Sequence, residues 1–310
     1  MRDVYRSATF DTKMAAKEWA AAVEVEIRSG KQQAASEGVA QDAFDRYAEE
    51  VSPTKKGVRW EVLRLGKLRS DPLGAVRLDR LSPADVAAFR DRRLAEVSPG
   101  TVNRELNLIS SVFETATCEW KWLPANPCRG IRRPRNPRAR DRRVSSEEVR
   151  RVCLALGYSG EGPVANSSQQ TALAFLIALE TAMRQAEIVS LQWDDVNMAG
   201  RFCTLRDSKN GDKRHVPLNR EALRLFGRRE GYAVPFTVNP ATASALFRRA
   251  RVAAGIDDLR FHDSRHEAIT RLAQRLSILD LARMVGHRDL KSLQIYYNPT
   301  ATQIAERLDD

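Results

Sequence analysis

The chain has 310 residues, 43% of them hydrophobic and 29% charged, and its 51 basic residues against 40 acidic leave a formal net charge of +11. That length suffices for two domains with cores of their own, and the composition excludes a disordered chain. No run of 18 apolar residues occurs, so no transmembrane helix is expected. The opening stretch "MRDVYRSATF" is not an apolar signal segment, which makes the cytoplasm the default location.

In chain order, "FDTKMAAKEWAAAVEVEIRSG" (10–30) reads as a short amphipathic helix after a strand, and "KQQAASEG" as a flexible connector. Residues 1–38 are thus a short N-terminal segment. Residues 39–128 read as helices. "LSPADVAAFRDRRLAE" offers Ser82 as N-cap, Pro83 at the first helical position and Asp85 in the first turn. "SPGTVNRELNLISSVFETATCEW" sets Val102, Leu106, Ile109 and Phe113 on one stripe at helical spacing. Lys55, Lys56, Arg59, Arg64 and Lys67 lie upstream as candidate phosphate or groove contacts, although any one of them alone reads more naturally as a surface charge.

Residues 129–143 read as a linker. "CRGIRRPRNPRARDRR" (128–143) holds eight arginines against one acid, lacks apolar periodicity, and contains Pro134 and Pro137, which forbid regular helix. Such a segment suits a polyanion through phosphate contacts and counterion release, with Arg132, Arg133, Arg135, Arg138 and Arg140 as the candidates. The bland alternative is a solvated connector.

Residues 144–310 read as a second domain. "VSSEEVRRVCLAL" opens it with a helix capped by Ser145 or Ser146. "QQTALAFLIALETAM" is a buried helix. "RFCTLRDSKNGDKRHVPLN" alternates and turns at "KNGD", a β-hairpin among helices, and four more helices follow. The fold class expected is mainly α with a small antiparallel sheet in the second domain. Cys118, Cys128, Cys153 and Cys203 are too scattered for a zinc knuckle and read as reduced, mostly buried thiols.

Six residues could do chemistry together: Arg184, Lys209, His262, Arg265, His287 and Tyr296. Each has an ordinary structural reading alone, such as a helix-end charge or a hairpin lysine. Jointly they are a toolkit for phosphoryl transfer without a metal. Two guanidiniums answer the negative charge that builds on the non-bridging oxygens. Histidine and lysine can move the protons of the nucleophile and the leaving group. A tyrosine oxygen can store the bond as a reversible phosphotyrosine. Glu187, three residues beyond Arg184, could hold its guanidinium in place.

The blocks "TAMRQAEIVSLQWDDV" (181–196), "SKNGDKRHVPL" (208–218), "HDSRHEAIT" (262–270) and "VGHRDLKSLQIYYN" (285–298) resemble, in order and spacing, those of the tyrosine recombinase (phage integrase) family. The resemblance is strong over 141–310, and the helical module 39–130 is similar to the family's core-binding domain by position and pattern. It implies that Arg184 and Arg265 grip the scissile phosphate, that His262 and His287 assist them, that Lys209 protonates the 5′ leaving oxygen, and that Glu187 braces the site. The family's nucleophile usually follows the second histidine by nine residues, which selects Tyr296 over Tyr297.

The resemblance further implies double-stranded DNA as substrate, no cofactor, a tetramer on DNA with exchange of the C-terminal tail, and room for accessory DNA-bending proteins. It also implies a two-domain clamp on the duplex. The N-terminal segment looks like the end of an arm-binding region, which favours integration over DNA inversion of the shufflon type.

Three positions depart from the commoner pattern. Ser264 and "VGH" alter packing, and Glu267 brings a negative charge near a phosphate site without evident reason. Two rival readings use the same residues. His262 and His266 have the spacing of a zinc pair, but residue 263 is Asp where a zinc hydrolase usually has Glu. A type IB topoisomerase uses similar chemistry, but a monomeric relaxing enzyme would not need the tail "NPTATQIAERLDD", with Ile304 and Leu308 on one helical face.

Overall fold

The computed structural model describes residues 8–10, 12–28, 37–55, 57–137, 140–206, 213–287, 290, 293 and 296. The chain divides into two compact units, 1–139 and 140–310.

Among its described residues the first unit is built of helices joined by turns and loops, with one isolated bridge between Val39 and Arg77: α1 (Lys13–Arg28), α2 (Ala40–Glu50), α3 (Val58–Arg69), α4 (Pro83–Glu96) and α5 (Pro99–Cys118). The start of α4 follows from its first residues. Pro83 presets φ at the first helical position, and the Asp85 carboxylate accepts from the Ser82 backbone N–H at 2.9 Å and from its hydroxyl at 2.6 Å. On α5 the stripe of Val102, Leu106, Ile109 and Phe113 is buried against Phe44, Leu65, Leu68 and Phe89. One charged group interrupts this core. Glu105 is 1% exposed and takes Arg64 and Arg93 on its two oxygens, each at 2.9 Å. Removing one member of such a buried set leaves an uncompensated charge and costs about 3–5 kcal/mol.

The second unit is built around α7 (Ser167–Thr181), apolar on nearly all sides and buried accordingly. α6 (Ser146–Ala155) begins at Ser145, whose hydroxyl accepts from the Glu148 N–H while Glu148 accepts from the Ser145 N–H. After α8 (Gln185–Val189) come three antiparallel strands in the order β1 (Val196–Asn197), β2 (Phe202–Leu205), β3 (Arg214–Pro217). The β2–β3 register pairs Cys203 with Val216 and Leu205 with Arg214. The hairpin of the sequence reading is therefore there, with one added two-residue strand too short to carry a pattern. Its turn at "KNGD" lies outside the described residues.

α9 (Arg220–Gly227), α10 (Pro240–Ala253), α11 (Asp263–Ala273) and α12 (Ile278–Val285) complete the unit. Phe175 of α7 meets Phe247 of α10 and Phe261 ahead of α11, with centroids 4.8 and 5.5 Å apart. This aromatic contact seats the start of α11 on the central helix.

Candidate active site

The site is assembled from helix ends. α7 stops because Ala182 takes a left-handed conformation, φ 56°, and the chain turns into α8 with Arg184 as its N-cap. A non-glycine residue there costs on the order of 1 kcal/mol or more, a strain that the surrounding packing must hold. α12 stops at Gly286, also left-handed at φ 70°, and delivers His287 immediately after it. Both ends leave carbonyls without a partner in their own helix.

Arg265, on α11 and 3% exposed, uses those carbonyls. Its Nη2 donates to Val285 O at 2.7 Å and its Nη1 to Ala182 O. The guanidinium is thus held by the negative ends of two helices rather than by a carboxylate. Burial, then the neighbouring Arg184, pull its pKa down to about 10. It stays charged at neutral pH with no carboxylate hydrogen-bonded to it among the described residues.

Arg184 is braced as expected. Its Nη1 donates to Glu187 Oε1 at 2.7 Å, and its backbone N–H to Oε2 at 2.8 Å. A residue that the sequence reading did not single out shares this carboxylate: Arg214 of β3 donates to Oε1 at 3.1 Å and to Oε2 at 2.9 Å. Burial pushes the Glu187 carboxyl upward, but the Arg184 N–H and the Arg214 guanidinium outweigh it and hold the group below the usual carboxylate range. Arg214 also explains Gly286. A β-carbon there would sit 3.0 Å from Arg214 Nη1 and 3.1 Å from its Cδ. The available signal for Arg214 was strand alternation, since Arg214 and Val216 share one sheet face and Val216 is a core residue.

His262 caps the start of α11. Burial, then Arg265 and Arg184, hold its pKa below the ordinary histidine value. His287 is lowered by burial and by Arg265, Arg184 and Arg214. Both imidazoles therefore favour the neutral form, each able to donate from one nitrogen and accept at the other. The phenol of Tyr296 is raised by burial, with Arg265 opposing. These mutual influences place Arg184, Arg265, His262, His287 and Tyr296 around one spot. Lys209, Lys56 and Arg138 lie outside the described residues, as does the tail with Ile304 and Leu308.

Glu267 has a structural explanation. It accepts from Arg143 Nε at 2.7 Å, Arg143 Nη2 at 2.9 Å and the Val144 N–H at 3.1 Å. Its charge is matched by the linker. His266 lies against Tyr296, with ring centroids 4.8 Å apart at 63°. Among the described residues no group of three histidine, cysteine, aspartate or glutamate side chains is arranged to hold a metal ion.

The candidate DNA contacts divide into two groups. Arg59, Lys67, Arg132, Arg133 and Arg135 are exposed, although Arg133 donates to Asn107 Oδ1 at 2.7 Å. Lys55 is held by Tyr47 and Glu61, Arg64 by Glu105, and Arg140 by Asp258 and Asp263.

A mainly helical chain with a small antiparallel sheet, gathering two arginines, two histidines and a tyrosine in its second unit, has the make-up of a tyrosine recombinase. The family model described as "Phage integrase family" matches residues 142–303, and that of the phage integrase N-terminal domain matches residues 58–135. An integrase/recombinase of Haemophilus influenzae is 36% identical over 306 residues, covering 96% of this chain and 82% of the relative. A shufflon-specific DNA recombinase of Escherichia coli is 36% identical over 280 residues, covering 86% of this chain and 71% of the relative. Among solved structures, a lambda integrase tetramer bound to a Holliday junction shares the fold, with a TM-score of 0.70 at 16% identity over 94% of this chain and 89% of that one. This chain belongs to the phage integrase family.

Proposed function

We propose that this chain cleaves and rejoins duplex DNA at specific sites through a covalent 3′-phosphotyrosyl link to Tyr296. The observation that carries the reading is the convergence of Arg184, His262, Arg265, His287 and Tyr296, with Arg265 charged, buried and unmatched by any carboxylate hydrogen bond among the described residues. A phosphodiester between Arg184 and Arg265 supplies the missing anion. Its charge raises the pKa of His262 and His287, so each becomes a better proton acceptor once DNA is bound.

In the step proposed, the Tyr296 oxygen attacks phosphorus and its proton passes to a histidine. The phosphorus–oxygen bond to the 5′ sugar breaks, and the leaving oxygen takes a proton from Lys209. Breaking one phosphoester while making another conserves the bond energy, so the exchange needs no nucleotide and no metal. The guanidiniums stabilise the charge on the non-bridging oxygens. Four copies on two sites, passing through a Holliday junction and exchanging tails, fit this chemistry. The likeness to lambda integrase supports that assembly.

Integration into a target duplex is the first reading of the biological task. DNA inversion is the second, favoured by the 36% identity to the shufflon recombinase. Residues 39–128, the linker 129–143 and residues 144–310 act as core-binding domain, connector and catalytic domain. Arg59, Lys67, Arg132, Arg133 and Arg135 are the phosphate contacts with the most exposed side chains.

The test uses a nicked duplex whose core sequence is selected from a randomised pool by binding to the chain. The wild-type protein forms a covalent protein–DNA band on a denaturing gel and Tyr296→Phe forms none. A band from Tyr296→Phe that disappears in Tyr297→Phe overturns the assignment of the nucleophile.

A further inference from the structure

The proposed chemistry leaves His266 unused, yet it is the aromatic side chain seated on Tyr296. The rings meet edge to face at 4.8 Å and 63°. The imidazole is enclosed, its side chain 13% exposed, and among the described residues its Nδ1 is a buried nitrogen without a hydrogen-bond partner. Its other nitrogen, Nε2, lies 3.4 Å from Asp141 Oδ1. Asp141 is the single acid of the arginine-rich stretch, and its side chain is 88% exposed. A carboxylate so open to water would ordinarily be a poor anchor.

Its backbone, however, is pinned on both sides. Arg140 donates to both oxygens of Asp263, at 2.7 and 2.8 Å, and to Asp258. Arg143 donates to both oxygens of Glu267. Residues 263, 266 and 267 fall on adjoining rows of α11, so residues 140–143 run along that helix and present Asp141 to His266. The described groups that act on this corner are Asp141 and Arg265 on the phenol, and His262 next to His266 on the helix.

We propose that His266 is a positioning residue that holds the Tyr296 phenol for attack, and that Asp141 holds His266 in the orientation this requires. Resting on Tyr296 as the nucleophile, the inference ties the first residues of the catalytic unit to the reacting group. A phenol free to turn about its side-chain torsions samples the in-line position rarely. An edge-to-face neighbour fixed by a carboxylate narrows that search. The effect belongs to the rate of covalent attack and leaves DNA affinity alone.

Two measurements test this. With the nicked duplex described above, His266→Ala slows single-turnover covalent attachment by about 10- to 100-fold with unchanged DNA affinity. His266→Phe, which keeps an aromatic edge on the phenol, recovers most of that rate. Asp141→Ala is slower than wild type, whereas Asp141→Asn, which retains an oxygen for His266, is not. Asp141 is exposed, so its variants fold even where His266→Ala does not. If both Asp141 variants match wild type, or both are faster, Asp141 has no positioning role and the proposal is overturned. It is equally overturned if His266→Ala matches wild type.

The second measurement needs no DNA. The ring carbon signals of Tyr296, identified by their loss in Tyr296→Phe, shift in His266→Ala and in Asp141→Ala. Unmoved signals overturn the proposal. A wild-type protein that gives no covalent band overturns the reading of Tyr296 as nucleophile, a separate failure that this spectrum distinguishes.

Discussion

Two faces of α11 carry opposite electrostatic designs within three turns. On one, His262 and Arg265 belong to the proposed phosphate site and His266 lies against Tyr296; among the described residues the hydrogen bonds of the Arg265 guanidinium go to backbone carbonyls, and its pKa is drawn down to about 10. On the other, Asp263 and Glu267 each meet an arginine of the linker in a two-pronged ion pair. Arg140 is raised by Asp263 and Asp258, the reverse of Arg265. The difference teaches what sets a binding arginine apart from a structural one. A guanidinium matched by carboxylates of its own, as Arg140 is by Asp258 and Asp263, gains little from a phosphate, whereas Arg184 shares its carboxylate, Glu187, with Arg214. A guanidinium supported by helix ends retains most of its attraction for an anion.

The largest test of that contrast is Arg265→Lys. An ammonium cannot donate in a fixed fork to Ala182 O and Val285 O and also present a second edge to a phosphate. Covalent attachment should fall by about 100- to 1,000-fold, measured as the single-turnover rate on the nicked duplex. A rate near wild type would mean that charge alone, without the fork, is what the site uses.

Next in size is Glu187→Gln. Glu187, on α8, has a side chain 11% exposed and pairs with both Arg184 and Arg214, so its neutralisation leaves two neighbouring guanidiniums without that counter-charge. Unfolding in urea should show a loss of about 3–5 kcal/mol. A much smaller loss would show that water reaches the pair and screens it.

The smallest effect is on the linker face. The folded-state pKa values of Glu187, Asp263 and Glu267 are all depressed. Their stabilisation is therefore present above the ordinary carboxylate range, about pH 4, and is lost as pH falls through the lowered values. Glu267→Gln should make the melting temperature less sensitive to acid below about pH 4. Because the Arg143 side chain is 55% exposed, the cost at neutral pH should stay under about 1 kcal/mol. An unchanged acid limb in Glu267→Gln would show that the linker clip does not contribute.

Much of the site was legible because its chemistry is carried by residue types at stated spacings. Arg184 with Glu187, His262 with Arg265, and the nine residues from His287 to Tyr296 need no coordinates to be noticed. Arg214 was passed over because an arginine on a hairpin strand looks like any surface charge, and only packing shows it reaching Glu187. Glu267 looked out of place for the complementary reason: its partner, Arg143, is 124 residues away. For the candidate DNA contacts, the sequence did not show which charges are already paired within the fold. Lys55, Arg64 and Arg140 count as positive charge in the sequence, yet each is matched by acids of the fold, Arg64 by one 41 residues distant.

By itself the sequence determined the helical character, the position of the hairpin, the arginine-rich join and the candidates for the reactive groups. These depend on periodicity, capping and local order, which act within a few residues. Only the tertiary structure decided which charges are neutralised and which remain available, where the ends of α7 and α12 meet Arg265, and that His266 lies on Tyr296. Such pairings depend on distances between segments far apart in the chain, which burial and packing set and no local pattern records.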